Sequence, residues 1–129
     1  MESYMIRAAI ASFAVCLSLF AAGSARAEGD AAQGEKLFRQ CKSCHATEAG
    51  KNRVGPSLFG VAGRKAGSAE EFKGYSEGLK AAGFSWDDAK LDAYLTNPKS
   101  VIADSKMAFA GIAEAADREH VVAYLKTLK

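Results

Sequence analysis

The clearest helical periodicity lies towards the C-terminus. Val121, Tyr124, Leu125 and Leu128 follow the i, i+3, i+4, i+7 rule and predict a helix from about Ala115 to Leu128. Leu91, Tyr94 and Leu95 repeat the pattern in a shorter segment, which Asp87 or Asp88 can cap and Asn97-Pro98 ends. Asp30 followed by Gln33 reads as a capping box, opening a helix to about Gln40 with Leu37 and Phe38 on its apolar face. Ser76 to Ala82 predicts one more short helix, stopped by Gly83. No alternating apolar and polar run marks a strand. From Cys41 to Ser68 the chain carries turn signals instead: Gly50, Gly55-Pro56, Gly60, Gly63 and Gly67. So long a loop suits a compact domain only if it wraps around something large. The pattern therefore predicts an all-α single domain of few, short helices and long loops. Its centre must be filled by something other than helix packing.

The first residues have a different character. Arg7 supplies a short basic start, Ala8 to Ala22 carries no charge, and Ala25 and Ala27 stand where a signal peptidase reads small residues. Spanning a bilayer takes about 20 apolar residues, so a cleavable secretory signal peptide over residues 1–27 is expected rather than a permanent membrane anchor. Val15 before Cys16 is not the small residue of a lipoprotein site. The working domain is then residues 28–129, located in the periplasm. Removing Glu2, Arg7 and Arg26 with the leader leaves 15 basic and 14 acidic side chains, against 17 and 15 in the whole chain. A net charge so near zero does not point to nucleic acid.

Cys41-Lys42-Ser43-Cys44-His45 matches the attachment signature for c-type haem. Two thiols three residues apart can bond one edge of a porphyrin, and the histidine after the second thiol then lies under the ring. The protein contributes position and electronics, and the iron does the redox chemistry. A thioredoxin-like Cys pair normally accompanies a βαβ pattern, and none is visible. A zinc site would need Cys41, Cys44, His45 and distant His120 in one tetrahedron. A disulfide across so short a loop would add little stability and would leave His45 unexplained. The expected cofactor is one covalent haem c, bound through Cys41 and Cys44 with His45 on the iron.

For the sixth iron position Met107, His120, Lys106 or no protein ligand compete. Met107 is the one methionine beyond the leader and sits in a loop that can reach the far side of the ring. His120 lies beside the apolar face of the last helix. The expectation is a His45/Met107 pair, which raises the reduction potential.

These residues resemble class I cytochromes c, most closely the bacterial cytochrome c2 group and the mitochondrial branch. The likeness runs from Gly29-Asp30 to Leu128-Lys129. It rests on the Gly29 to Phe38 stretch, Cys41 to His45, Val54-Gly55-Pro56-Ser57-Leu58, Gly63-Arg64-Lys65, Trp86, Leu91 to Leu95, Asn97-Pro98-Lys99, Lys106 to Gly111, and Val122 to Lys126. The resemblance implies a small single-domain cytochrome c fold wrapped around one covalent haem. It implies that the Pro56 carbonyl accepts the other ring N–H of His45. It also implies that Tyr94 points its hydroxyl at the Met107 sulfur and that Arg64, Tyr75 and Trp86 surround the haem propionates. Phe109 joins the haem environment, and Gly34 and Phe38 pack against Tyr124. Ala103-Asp104 stands where relatives often have Pro-Gly, which should loosen the turn before Met107. Gly74 is extra, and Gln40 replaces a frequent lysine.

By the same likeness Lys36, Lys42, Lys51, Arg53, Lys65, Lys99 and Lys106 surround the haem edge and steer docking on acidic partners. The implied function is electron transfer by a periplasmic carrier, not an enzyme. It is a monomer by default and shuttles between membrane redox complexes. A bc1-type complex is the implied donor, and an oxidase, a photosynthetic reaction centre or a reductase the acceptor. Peroxidase-like turnover or gas binding at an open iron is the competing function, and a module docked permanently in a larger complex is a third.

Overall fold

A computed structural model describes residues 28–129. The expected leader lies outside the described residues. The described residues form five helices in order: α1 Ala31–Leu37, α2 Glu77–Lys80, α3 Asp88–Thr96, α4 Pro98–Val101 and α5 Ala115–Leu125. A 3-10 turn at Phe38–Gln40 extends α1. Among the described residues the only β pairing is one isolated bridge between Lys65 and Ser85. No helix among them is long and apolar enough to cross a membrane.

The helix starts are local events. Asp30 accepts from the amides of Ala32 and Gln33 at 2.8 and 3.1 Å. Ser76 accepts from Leu79 N (3.2 Å) and Asp87 from Lys90 N (2.7 Å). Each satisfies a first-turn N–H that the helix cannot pair internally. The return half of the Asp30–Gln33 capping box is not used. The Asp30 N–H donates instead to His120 Nδ1 at 2.8 Å, a group 90 residues away on α5. The sequence pattern also missed α4. Asn97-Pro98 does end α3, but Asn97 then accepts from Lys99 N (3.1 Å), with Pro98 inside the first turn. The same dipeptide is a stop and a start, since proline suits the first helical position. The last helix stops at Leu125, a turn earlier than its apolar repeat predicts.

The core forms where α1 crosses α5. A Cβ on Gly34 would lie 1.9 Å from His120 O and 2.8 Å from Tyr124 Cβ, so only glycine lets the two backbones touch. Phe38 is fully buried beside this crossing, with its ring centroid 5.0 Å from that of Tyr124. Trp86 stands edge-on between Phe84 and Tyr94, 5.0 Å from each. Arg118 fastens α5 to the rest of the fold. Its Nε donates to Asp92 Oδ1 on α3 at 2.8 Å, and another nitrogen donates to the carbonyls of Ile112 and Ala113, both at 2.9 Å. The apolar core does not close on itself. Phe38, Val61, Trp86, Leu91, Leu95, Val121 and Leu125 belong to the core and also face one internal cavity.

Candidate functional site

That cavity, ≈ 280 Å³, is where the chemistry converges. Cys41, Cys44 and His45 occupy a single turn that continues from the 3-10 segment. Cys41 N donates to Phe38 O (2.8 Å), and Cys44 N and His45 N both donate to Cys41 O (3.1 and 2.9 Å). This winding brings both thiols and the imidazole to one wall, and neither thiol is in a disulfide. A second loop backs the turn. Gly55 N donates to Cys44 O and Leu58 N to Ala46 O, each at 2.9 Å. Arg53 reaches over to Lys42 O at 3.1 Å.

The backing loop orients His45. Its Nδ1 lies 2.7 Å from Pro56 O. A carbonyl only accepts, so Nδ1 carries the proton and the Nε2 lone pair is left for a metal. Gly55 lies flat against the ring, and a Cβ there would come within 2.3 Å of His45 Cε1. The histidine is thus held by a bond and by a surface, as a metal ligand needs. Burial lowers the His45 pKa; the Pro56 bond works against this, and nearby Arg64 adds to it. Burial, with some help from Cys44, pushes the Cys41 thiol up to about 11.

Tyr94, Leu95 and the loop Ser105 to Phe109, which includes Met107, also line this cavity. Arg64, Tyr75 and Trp86 also line the cavity. His120 does not; its ring nitrogen is taken by Asp30. Among the described residues no three His, Cys, Asp or Glu side chains form a group able to hold a metal ion. The zinc arrangement therefore has no geometry behind it.

The family model for cytochrome c matches residues 31–129. Cytochrome c2 iso-2 of Magnetospirillum fulvum is 50% identical over 97 residues, which is 75% of this chain and all of the relative. Cytochrome c-554 of Methylosinus trichosporium is 44% identical over 124 residues, covering 95% of this chain and 89% of the relative. The solved structure of cytochrome cH from Methylobacterium extorquens superposes with a TM-score of 0.72 at 46% identity, covering 77% of this chain and 99% of that one. The chain belongs to the cytochrome c family. It is a small class I c-type cytochrome of electron transfer, and its cofactor is one covalently attached haem c.

The residues present fit that group. Arg64 donates through its two terminal nitrogens to Phe59 O (2.8 Å) and Ser57 O (2.9 Å), but its Nε–H is buried with no acceptor. An unpaired buried donor on the wall of an apolar cavity is costly. A haem carboxylate is the acceptor that would relieve it. Burial also depresses the guanidinium pKa, which a nearby anion would offset. Tyr75 is buried, and its hydroxyl oxygen accepts from Ala69 N at 3.0 Å.

Two contacts here were not expected from the sequence. The Tyr94 hydroxyl meets Ser105 Oγ at 2.8 Å and so holds the Met107 loop through a buried serine. Asp104, in the turn before Met107, accepts from Gly78 N at 2.9 Å through its carboxylate and bonds the loop to α2.

Lys36, Lys42, Lys51, Arg53, Lys65, Lys99 and Lys106 are all exposed. Lys106 lines the cavity, and Lys42 lies within the attachment turn beside Arg53. Lys51 is paired with Glu48, and Lys65 is bridged to Ser85. Sequence reasoning gave Val54 and Gly55 no role of their own. Val54 is 79% exposed while lining the cavity, an apolar contact at its rim. Gly55 read only as half of a Gly-Pro turn.

Proposed function

We propose that this cytochrome is a diffusible electron carrier of the periplasm, exported by cleavage of residues 1–27, with haem bound through Cys41 and Cys44 and ligated by His45 and Met107. The observation that carries this reading is that both thiols, the Pro56-bonded imidazole and the Met107 loop line one cavity. The haem iron supplies a ferric–ferrous couple. His45 enters that couple already oriented, with its proton fixed on the Pro56 side, so little has to move when charge changes. Met107 offers a soft donor that favours the ferrous form. Phe38, Val61, Leu95, Phe109 and Val121 exclude water from the cavity. Arg64, Tyr75 and Trp86 form the wall that receives the propionates.

Docking uses the rim near the attachment turn. Val54 gives an exposed apolar contact there, and the exposed Lys42, Arg53 and Lys106 favour acidic partners. A bc1-type donor and an oxidase, reaction-centre or reductase acceptor suit such a rim. The carrier works as a monomer and not as an enzyme.

The test is an absorption spectrum of protein matured by export, ferric and then ferrous, after acid-acetone extraction, with the mass of its N-terminal peptide. Haem that stays with a chain starting at Glu28, with the weak far-red band of ferric methionine ligation, is the expected result. A high-spin ferric spectrum and rapid carbon monoxide binding by the reduced protein would turn the function to gas binding or peroxidation. Docking that did not weaken with salt would refute the role of the cationic rim.

A further inference from the structure

The loop that carries Met107 is tied to other elements at few points. Ser105 N donates to Ile102 O (2.9 Å) and Phe109 N to Met107 O (3.0 Å), which close the loop only on itself. After Met107, Ile112 N donates to Leu95 O at 2.8 Å and anchors the loop to α3. Before Met107 two side chains do this work. One is Ser105, through Tyr94. The other is Asp104. One of its carboxylate oxygens accepts from Gly78 N at 2.9 Å, and the Ser76 hydroxyl is near enough to stabilise the charge. That same hydroxyl accepts from Leu79 N. The fit is close: a Cβ on Gly78 would lie 2.3 Å from Asp104 Oδ1.

The two segments so joined form two lips of the haem cavity. Tyr75, Ser76 and Leu79 line one, and Ser105 to Phe109 line the other. The Gly78 N–H first, then the Ser76 hydroxyl, hold the Asp104 carboxyl below the usual carboxylate range, and Lys106 adds a weaker pull in the same direction. The carboxylate is therefore in its accepting form at neutral pH.

We propose that Asp104 is a positioning residue, a latch that bonds the Met107 loop to the start of α2 and so keeps the Met107 sulfur on the iron. This rests on the reading of Met107 as the axial ligand. A bond from an amide to a carboxylate is charge-assisted, though solvent at this exposed position tempers it. The latch closes a loop that has no other side-chain tie to the α2 lip. Without it the loop spends more time lifted, and an external ligand that needs a free sixth position binds in proportion to that lifted population.

The experiment uses ferric holoprotein and measures the rate of imidazole binding and the far-red band. It compares wild type, Asp104→Ala, Asp104→Asn and, as a remote exposed acid, Asp88→Ala. Asp104→Ala is expected to bind imidazole about fivefold faster, as loss of hydrogen bonds of this kind implies, and to lose part of the band. Asp104→Asn keeps one carbonyl oxygen for Gly78 N–H and should fall between. Asp88→Ala should match wild type. An unchanged rate and band in Asp104→Ala would overturn the latch and leave the axial assignment standing. A wild-type protein lacking the band would overturn the axial assignment and the latch with it. If Asp104→Ala yields no holoprotein, hydrogen exchange at the Gly78 amide of the wild type decides: protection supports the latch, and free exchange overturns it.

Discussion

Gly34→Ala tests the architecture at its tightest point, because two physical effects predict opposite signs. In a helix interior alanine is favoured over glycine by about 1 kcal/mol, so local propensity predicts a more stable protein. Packing predicts the reverse. The new Cβ would lie 1.9 Å from His120 O, and ordinary contact begins near 3.4 Å, so α1 and α5 must part by about 1.5 Å. Both sides of the clash are backbone or Cβ, so no flexible side chain can swing away. Separating the helices loosens Phe38 and Val121, which are 0% and 1% exposed. A radial gap of even 0.5–1 Å forfeits about a quarter to a half of a contact's dispersion energy. Overpacking of this kind costs about 1–3 kcal/mol and occasionally more, and the high end applies where backbones collide. After the propensity gain the net loss is about 2 kcal/mol, or roughly 8–16 °C in Tm for a domain of this size. The assay is thermal unfolding of the ferric holoprotein by far-UV circular dichroism. Gly50→Ala is the contrast, since Gly50 has a φ of 70° but open space around it, and should lose only about 1 kcal/mol. A Tm for Gly34→Ala at or above wild type would refute the packing argument.

Three further outcomes follow from the site and its supports. Gly55→Ala places a methyl 2.3 Å from His45 Cε1, so the ring must leave the Pro56 carbonyl; the absorption spectrum should report weakened His45 ligation, and an unchanged spectrum and Tm would sink the idea. Arg118→Met keeps the side-chain stem but removes the bonds to Asp92, Ile112 and Ala113; it should lower stability by about 2–3 kcal/mol, read as a lower denaturant midpoint at constant m-value. Burial raises the Tyr94 pKa, against the lowering effect of its Ser105 bond. The folded state then holds this proton when the unfolded chain has released it, so the stabilisation is complete below the ordinary tyrosine value of about 10 and is lost as pH rises through the higher folded value. Tyr94→Phe should cost about 1 kcal/mol at neutral pH by leaving Ser105 unpaired and should flatten the alkaline decline; the same alkaline slope in both proteins would show that Tyr94 is not its source.

What could be read from the chain is what acts over a turn or less. Asp30 was legible as a cap, and Asp87 as one of two candidates with Asp88, because each side chain reaches an amide two or three residues ahead. The attachment turn was legible because Cys41, Cys44 and His45 are brought together by one backbone winding. Pro56 and Gly34 carried their roles through a resemblance to known sequences rather than through any local rule. The tertiary structure alone decided which distant groups meet. It gave the Asp30 amide to His120 instead of Gln33, and it turned Tyr94 to Ser105. It left Arg64 Nε buried and unpaired beside the cavity, and it brought the Asp104 carboxylate to the Gly78 amide. The reason is physical. A cap or a haem motif is specified by bond geometry along the chain, which the residue order contains directly. A partner across the fold depends on how helices and loops of fixed shape settle around a shared cavity, and no spacing in the sequence encodes that distance.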